Sequence, residues 1–289
     1  MTFSTLEEIL DICKNEDKAF WRVIQENDCR ERDVTPESSF ETMRGMYRAM
    51  AEADRNYDPE LRSPSGMAGG DGEKLRRYME KQGSLLGEYL GTVVEKAVKM
   101  AESNACMKRI VAAPTAGSCG VIPAVLLSYQ QLHNTPENTM VEAMFVSAGI
   151  GTVIAASASI AGAEGGCQAE IGTASAMAAG ALAYLEGGDS ETICHGAALA
   201  LKSLLGLTCD PVAGLVEVPC IKRNASGAVN SVVAAQLALA GVQSAVTPDE
   251  VIDSMRRIGK LLPACLRETS QEGLAITPTA QRIVNKLRA

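Results

Sequence analysis

The run from Ala143 to Ala163 contains no charged residue at all. It is long enough to cross a bilayer. It is nevertheless built mostly of Ala, Gly and Ser, with only Phe145, Val146, Ile150, Val153, Ile154 and Ile160 strongly favouring lipid. Insertion rewards Leu, Ile, Phe and Val, so the run reads instead as a buried helix whose small side chains let its neighbours approach closely. Ala225 to Ala245 is a second run of this kind. Hydrophobic residues make up 46% of the 289-residue chain but aromatics only 4%, so the core must come from Ala, Val, Ile, Leu and Met. That composition suits close helix packing better than an aromatic-rich β-sandwich. The expected fold class is all-α, a single compact mainly helical domain with buried Ala/Gly-rich helices, functional loops and no membrane span. Strand signals are limited to Ile110–Ala113 and Leu215–Val218.

Residues 1–60 read as an N-terminal helical layer. Ser4 and Thr5 cap a first helix through Leu6, Ile9, Leu10, Phe20 and Ile24. Thr35-Pro36 opens a second, with Phe40, Met43, Tyr47 and Met50 at helical spacing. Residues 61–289 read as one further compact unit. Arg55 to Gly72 is a loop by its Pro, Ser and Gly content. Ser84 starts a long amphipathic helix carrying Leu85, Leu86, Tyr89, Leu90 and Val93, and further helices follow over Val121–Leu132 and Ser190–Leu205. Two buried helices between Pro136 and Tyr184 are split at Gly162–Cys167. Thr247-Pro-Asp-Glu250 forms a capping box that opens a helix over Val251–Leu262.

A formal charge of −8 disfavours binding to nucleic acid, because no basic surface compensates phosphate. The N-terminus has no basic region followed by an apolar core, and the nine cysteines are an odd number. Both point to a reducing cytoplasm, where cysteines serve metals or packing.

The chemistry concentrates in turn-rich segments. In Leu207–Asn224, Cys209 and Cys220 each stand beside a proline, with Gly214 between them and Lys222-Arg223 following. Cys167 lies in Glu164-Gly-Gly-Cys-Gln-Ala-Glu170, at a helix start that should lower its thiol pKa. Three thiolates in such settings suit an iron–sulfur cluster with one iron left open. The spacing matches no compact ferredoxin or zinc-finger pattern, so the residues by themselves favour packed thiols over a cluster. Ser63-Pro-Ser-Gly-Met-Ala-Gly-Gly70 is either an anion-binding nest or a surface turn. Pro114-Thr-Ala-Gly-Ser-Cys-Gly120 leads into a helix N-terminus, where anions are stabilised. Glu164 and Glu170 are hydrogen-bond acceptors, catalytic bases or plain solvated carboxylates. His133 reads as surface and His195 as structural or surface, and two histidines exclude a His-rich metal site.

Four ordered segments, 63–70, 113–123, 164–170 and 207–224, closely resemble the iron–sulfur-dependent L-serine dehydratases, in particular the alpha subunit of the two-subunit type. The resemblance runs from about residue 60 to the C-terminus. It implies a lyase that removes water from L-serine to give aminoacrylate and then pyruvate and ammonia, in amino-acid catabolism. It places a [4Fe–4S] cluster on Cys167, Cys209 and Cys220, its open iron a Lewis acid for the substrate hydroxyl, and leaves Cys119 to packing. No cysteine follows Cys265 to cover that iron. Substrate binding is implied for Ser63, Ser65, Gly66, Thr115, Gly117, Ser118, Arg223 and Asn224, while no catalytic base is identified. The family more often has Leu-Thr where this chain has Met67-Ala68, and Glu272 stands where a glycine is common. Such proteins pair with a beta subunit or carry its equivalent fused ahead, so a partner chain is expected. Threonine or cysteine as substrate is the nearest alternative. A non-catalytic iron–sulfur protein would need four protein ligands, and a pyridoxal phosphate enzyme a Schiff-base lysine, for which Lys222 is the one motif candidate.

Overall fold

The computed structural model describes residues 3–288, and thirteen α-helices account for most of them. The first three are α1 (Leu6–Asn15), α2 (Phe20–Arg32) and α3 (Pro36–Arg55). The Thr5 side chain accepts from Glu8 N, and Thr35 likewise caps α3 with Pro36 at its first turn. The single first helix expected through Ile24 is in fact two. The chain turns at Asp17, in the left-handed region at φ 50°, and this lets Phe20, Val23 and Ile24 drop into the core.

Next come α4 (Asp71–Gln82), which the hydrophobic pattern does not reveal, and α5 (Gly87–Ala105). Ser84 belongs to the turn before α5 and not to the helix. Leu85 is accordingly 94% exposed and Leu86 also faces solvent, contrary to the expected apolar stripe. After a short 3-10 turn at Ala116–Ser118 the chain enters α6 (Val121–His133) and α7 (Glu137–Ser157). Within α7 lies a window apolar enough to cross a membrane, but 67% of it is buried inside the protein. Its side chains from Met140 to Ile154 pack against α2 and α3.

The interruption at Gly162–Cys167 consists of the one-turn α8 (Gly162–Gly165) and a π-helical turn, Gln168–Gly172, that runs into α9 (Thr173–Leu185). Every residue of α9 from Thr173 to Ala183 is buried. It is the axis of the bundle, touching α6, α7, α10 (Ser190–Lys202) and α11 (Cys220–Leu239). Helices come this close because their facing residues are Ala, Gly and Ser, and the few polar ones are satisfied across the interface. Ser147 Oγ donates to Met177 O at 3.1 Å, Ser175 Oγ to Gly227 O at 2.8 Å. The chain closes with α12 (Pro248–Leu261), opened by the Thr247/Glu250 capping box, and α13 (Pro278–Arg288).

One apolar cluster extends from Phe3 on the N-terminal helices to Met255 on α12. No strand occurs among the described residues, only an isolated parallel bridge between Cys209 and Arg267. Both expected strands are loops. Leu215–Val218 in particular is a tight turn closed by Glu217 N donating to Leu215 O at 2.7 Å. The helix expected from Ala225 begins at Cys220, and Pro219 stands just before its first turn as prolines commonly do.

Candidate active site

Four loops meet where α8, α9 and α11 begin. The first carries the cysteines. Cys167 heads the π-helical turn, Cys220 heads α11, and Cys209 sits between them on a loop fixed at both backbone atoms: its N donates to Leu266 O at 2.9 Å, and Glu268 N donates to its carbonyl at 2.7 Å. All three cysteines are buried and none is in a disulfide. Burial pushes the Cys209 thiol up, and neighbouring Cys167, Glu170, Cys220 and Glu268 add to it. Cys220 is raised to about 12 by burial, then by Cys167 and Glu170. Three buried cysteines from two distant segments therefore lie within electrostatic reach of one another. Among the described residues no three His, Cys, Asp or Glu side chains are arranged to hold a single metal ion.

The helix-start effect expected at Cys167 does not govern its thiol. Burial raises it to about 11, against the pull of the positive charge on the nearby Arg223 guanidinium. Arg223 also donates to Thr208 O at 2.7 Å and to the buried Asp210 carboxylate at 2.9 Å. Asp210 in turn accepts from Leu274 N at 2.8 Å. The one charge-bearing motif residue expected on substrate thus braces the cysteine turn. Lys222 points away, exposed and paired with Asp71 at 2.6 Å. Cys119, Cys13 and Cys194 lie elsewhere, Cys119 against Met100 O, Cys13 on α1 and Cys194 on α10.

The second loop is Thr115–Gly120. Asn224, from the first turn of α11, grips it twice: Nδ2 donates to Gly117 O at 2.8 Å and Oδ1 accepts from Gly120 N at 2.8 Å. Thr115 donates its hydroxyl to Glu170 Oε1 at 2.6 Å, and Ser118 Oγ lies 3.2 Å from the same hydroxyl. A Cβ on Gly117 would stand 2.9 Å from Glu170, so glycine is what lets the loop lie on that carboxylate. Burial raises the Glu170 pKa, partly opposed by the Thr115 hydrogen bond. Glu164 is exposed.

The third loop, Ser63–Gly70, is held at both ends by carboxylates from elsewhere in the chain. Ser63 and Ser65 both donate to Glu217 Oε2, at 2.9 and 2.6 Å. The amides of Gly69, Asp71 and Gly72 donate to Glu102 at 3.2, 2.8 and 3.1 Å, and Tyr57 adds its hydroxyl at 2.6 Å. The anion site anticipated in this loop does exist, at the N-terminus of α4, and the protein fills it with its own Glu102. Ala68, lacking the family's hydroxyl, is buried and donates its amide to Ser63 Oγ at 3.2 Å.

The fourth loop, Arg267–Gly273, overlaps the Glu268–Pro278 segment that resembles the family's closing motif, to which the sequence assigns no site role. Glu268 (φ 62°) and Ser270 (φ 56°) both lie in the left-handed region, a strained conformation that clusters at functional sites. Glu268 and Glu170 both approach Gly162: a Cβ there would meet Glu170 at 2.9 Å, Cys209 Sγ at 3.2 Å and Glu268 at 3.3 Å. Ser65, Ala116, Glu217 and Glu268 open onto a cleft of about 920 Å³ whose opposite wall is α13, through Val284 and Leu287. Another hollow of about 660 Å³, between Glu52 and Arg109, contains none of the motif residues. Neither histidine is near. His133 is exposed and stacked on Tyr129, and His195 Nδ1 accepts from Ser244 N at 3.3 Å.

Comparison with known families decides the kinship: residues 8–275 match the family described as serine dehydratase alpha chain. The chain belongs to that family. It is similar to the probable L-serine dehydratase alpha chain of Bacillus subtilis (strain 168), 42% identical over 99% of this chain and 95% of that one. The L-serine dehydratase alpha chain of Peptoniphilus asaccharolyticus is 40% identical over 97% and 96%. A longer relative, the L-serine dehydratase of Helicobacter pylori (strain J99 / ATCC 700824), is 36% identical over 95% of this chain but only 62% of its own length. The four segments that carry the resemblance, 63–70, 113–123, 164–170 and 207–224, supply the first three of the site's four loops, and Arg267–Gly273 adds the last.

Proposed function

We propose that this chain is the cluster-bearing alpha subunit of an L-serine ammonia-lyase that yields pyruvate and ammonia. Membership of the serine dehydratase family makes it an enzyme chain of that class. The observation that carries the finer reading is the mutual proximity of the buried Cys167, Cys209 and Cys220, with Glu268 near Cys209 and also lining the cleft onto which both hydroxyl-bearing loops open. Thiolates select iron–sulfur clusters, and the three sulfurs of such a site bind different irons, wider apart than ligands of one ion. The donor set fits: three buried thiols, with the Arg223 guanidinium beside Cys167 to offset thiolate charge. When bound, a [4Fe–4S] cluster supplies a Lewis acid for the departing hydroxyl, which is otherwise a poor leaving group.

The remaining work falls to the chain's own side chains. Asn224 and Glu170 hold the Thr115–Gly120 loop over the cysteines, and Glu217 and Glu102 hold Ser63–Gly70 across from it. These loops orient a three-carbon substrate while the buried turns behind them exclude water. Loss of water from L-serine gives aminoacrylate, whose imine tautomer takes up water to release ammonia and leave pyruvate. With both histidines away from the cleft, we assign removal of the Cα proton to a group on a second, beta-type chain. The alpha-chain names of two relatives and the greater length of the Helicobacter protein support this. Nine free cysteines suit a reducing cytoplasm.

The test is pyruvate and ammonia release from L-serine by anaerobically purified chain, with and without the protein encoded beside it. Turnover only with both chains is the expected result; full activity of the chain alone would refute the two-chain reading. L-Threonine and L-cysteine, tested in parallel, fix the substrate preference.

A further inference from the structure

We propose that Glu217, with Ser65, seats the substrate's α-ammonium group, a role that rests on the serine dehydratase reading above. A hydroxyl has one hydrogen to give. Ser63 and Ser65 both direct theirs to Glu217 Oε2, at 2.9 and 2.6 Å. With both hydrogens on Glu217, none is left for the 3.0 Å contact between the two hydroxyl oxygens, which stay acceptors, and the loop supplies a donor to each: Ala68 N to Ser63 at 3.2 Å and Met67 N to Ser65 at 3.0 Å. Ser65, half-buried at the cleft wall, keeps one lone pair for a ligand. A carboxylate placed there would meet acceptors and a like charge. An ammonium group, with three donors and no acceptor, matches both.

Glu217 itself points the same way. Its residue is only 5% exposed, yet it lines the cleft and forms no ion pair among the described residues. Both serine hydroxyls use Oε2, and among the described residues no donor reaches Oε1. A buried carboxylate with an unused oxygen toward a cleft is completed by a cation, and L-serine brings one. Position agrees as well. Glu217 stands three residues before Cys220, and the same cleft is lined by Glu268, which approaches the Gly162–Cys209 contact. The ammonium seat and the cysteine turn thus belong to one short segment. The loop whose sequence suggests an anion-binding nest or a surface turn is thus the acceptor side of the site.

The experiment uses the iron-reconstituted enzyme assembled with its second chain, and three probes: L-serine, ethanolamine (ammonium without carboxylate) and glycerate (carboxylate without ammonium). Glu217→Gln is expected to raise KM for L-serine and Ki for ethanolamine about tenfold or more, the effect of losing a charge-assisted hydrogen bond, with Ki for glycerate unchanged. Ser65→Ala, which leaves the buried carboxylate in place, should move the same two constants a few-fold and again spare glycerate. Visible absorption and far-ultraviolet circular dichroism confirm that each variant is folded and loaded. Equal weakening of glycerate and ethanolamine would reduce Glu217 to a loop brace, and unchanged constants for L-serine in both variants would overturn the proposal outright. Absence of pyruvate from the unmutated enzyme, measured first, would overturn the serine reading along with it.

Discussion

Gly180, in the middle of α9, and Gly69, in the hydroxyl loop, are crowded to the same degree: a Cβ added to either would lie 2.2 Å from its nearest neighbour. The neighbours differ. At Gly180 it is Cδ1 of Ile150, the free end of a side chain that can change rotamer. At Gly69 it is the carbonyl oxygen of Leu61, which is backbone, and the glycine sits at φ 121°, where L-residues are strained. The helical core is close-packed but its contacts are made by side chains that can give way. The site is close-packed by backbone, carboxylates and amides that cannot. Small residues serve adaptable packing in one region and fixed geometry in the other.

Substitutions sharpen that contrast. Gly69→Ala should have the largest effect, a loss of about 3 kcal/mol in a urea or thermal melt, from left-handed strain added to a backbone collision. Activity should fall with it, because the Ser63–Ser65 hydroxyls ride on this loop. Glu102→Gln should cost about 2 kcal/mol. It removes a charge that accepts three amides and the Tyr57 hydroxyl, and gives Gly72 N a donor to face instead of an acceptor. The smallest effect is expected for Gly180→Ala, within about 1 kcal/mol of the parent and with full activity. Helix propensity improves by about 1 kcal/mol while overpacking against Ile150 takes back a similar amount. If Gly180→Ala proved as damaging as Gly69→Ala, the distinction between a yielding core and a fixed site would fail.

The core was largely legible in the sequence. Uncharged Ala/Gly runs announce buried helices, and Thr35-Pro36 and the Thr247/Glu250 box mark helix starts by local chemistry that needs no distant partner. Errors came where local pattern and tertiary packing part. Leu85 and Leu86 extend the apolar period of α5 but lie in the turn before it, and the apolar letters of Leu215–Val218 mimic a strand while Pro219 and Gly214 shape a turn. In the site, the cysteines and hydroxyl loops could be picked out because turn residues flank them. Their partners could not. Glu217 lies 154 residues from Ser63 and Glu170 lies 55 from Thr115, separations at which no periodicity carries information. A lone carboxylate in the otherwise apolar Leu215–Val218 was the one available sign for Glu217. Glu268 opens a segment, Glu268–Pro278, that resembles the family's closing motif, but its positive φ and its place beside Cys209 are invisible before folding.

The central claim is that Cys167, Cys209 and Cys220 form one cluster site while the other thiols serve packing. It is tested most directly by anaerobic reconstitution with iron and sulfide, measuring iron content and visible absorption for Cys167→Ser, Cys209→Ser, Cys220→Ser and Cys119→Ser beside the parent. The account predicts that the parent and Cys119→Ser take up the cluster alike, and that each of the other three loses it together with serine deamination while its helical circular dichroism is retained. Normal cluster uptake by any of those three, or its loss in Cys119→Ser, would contradict the account.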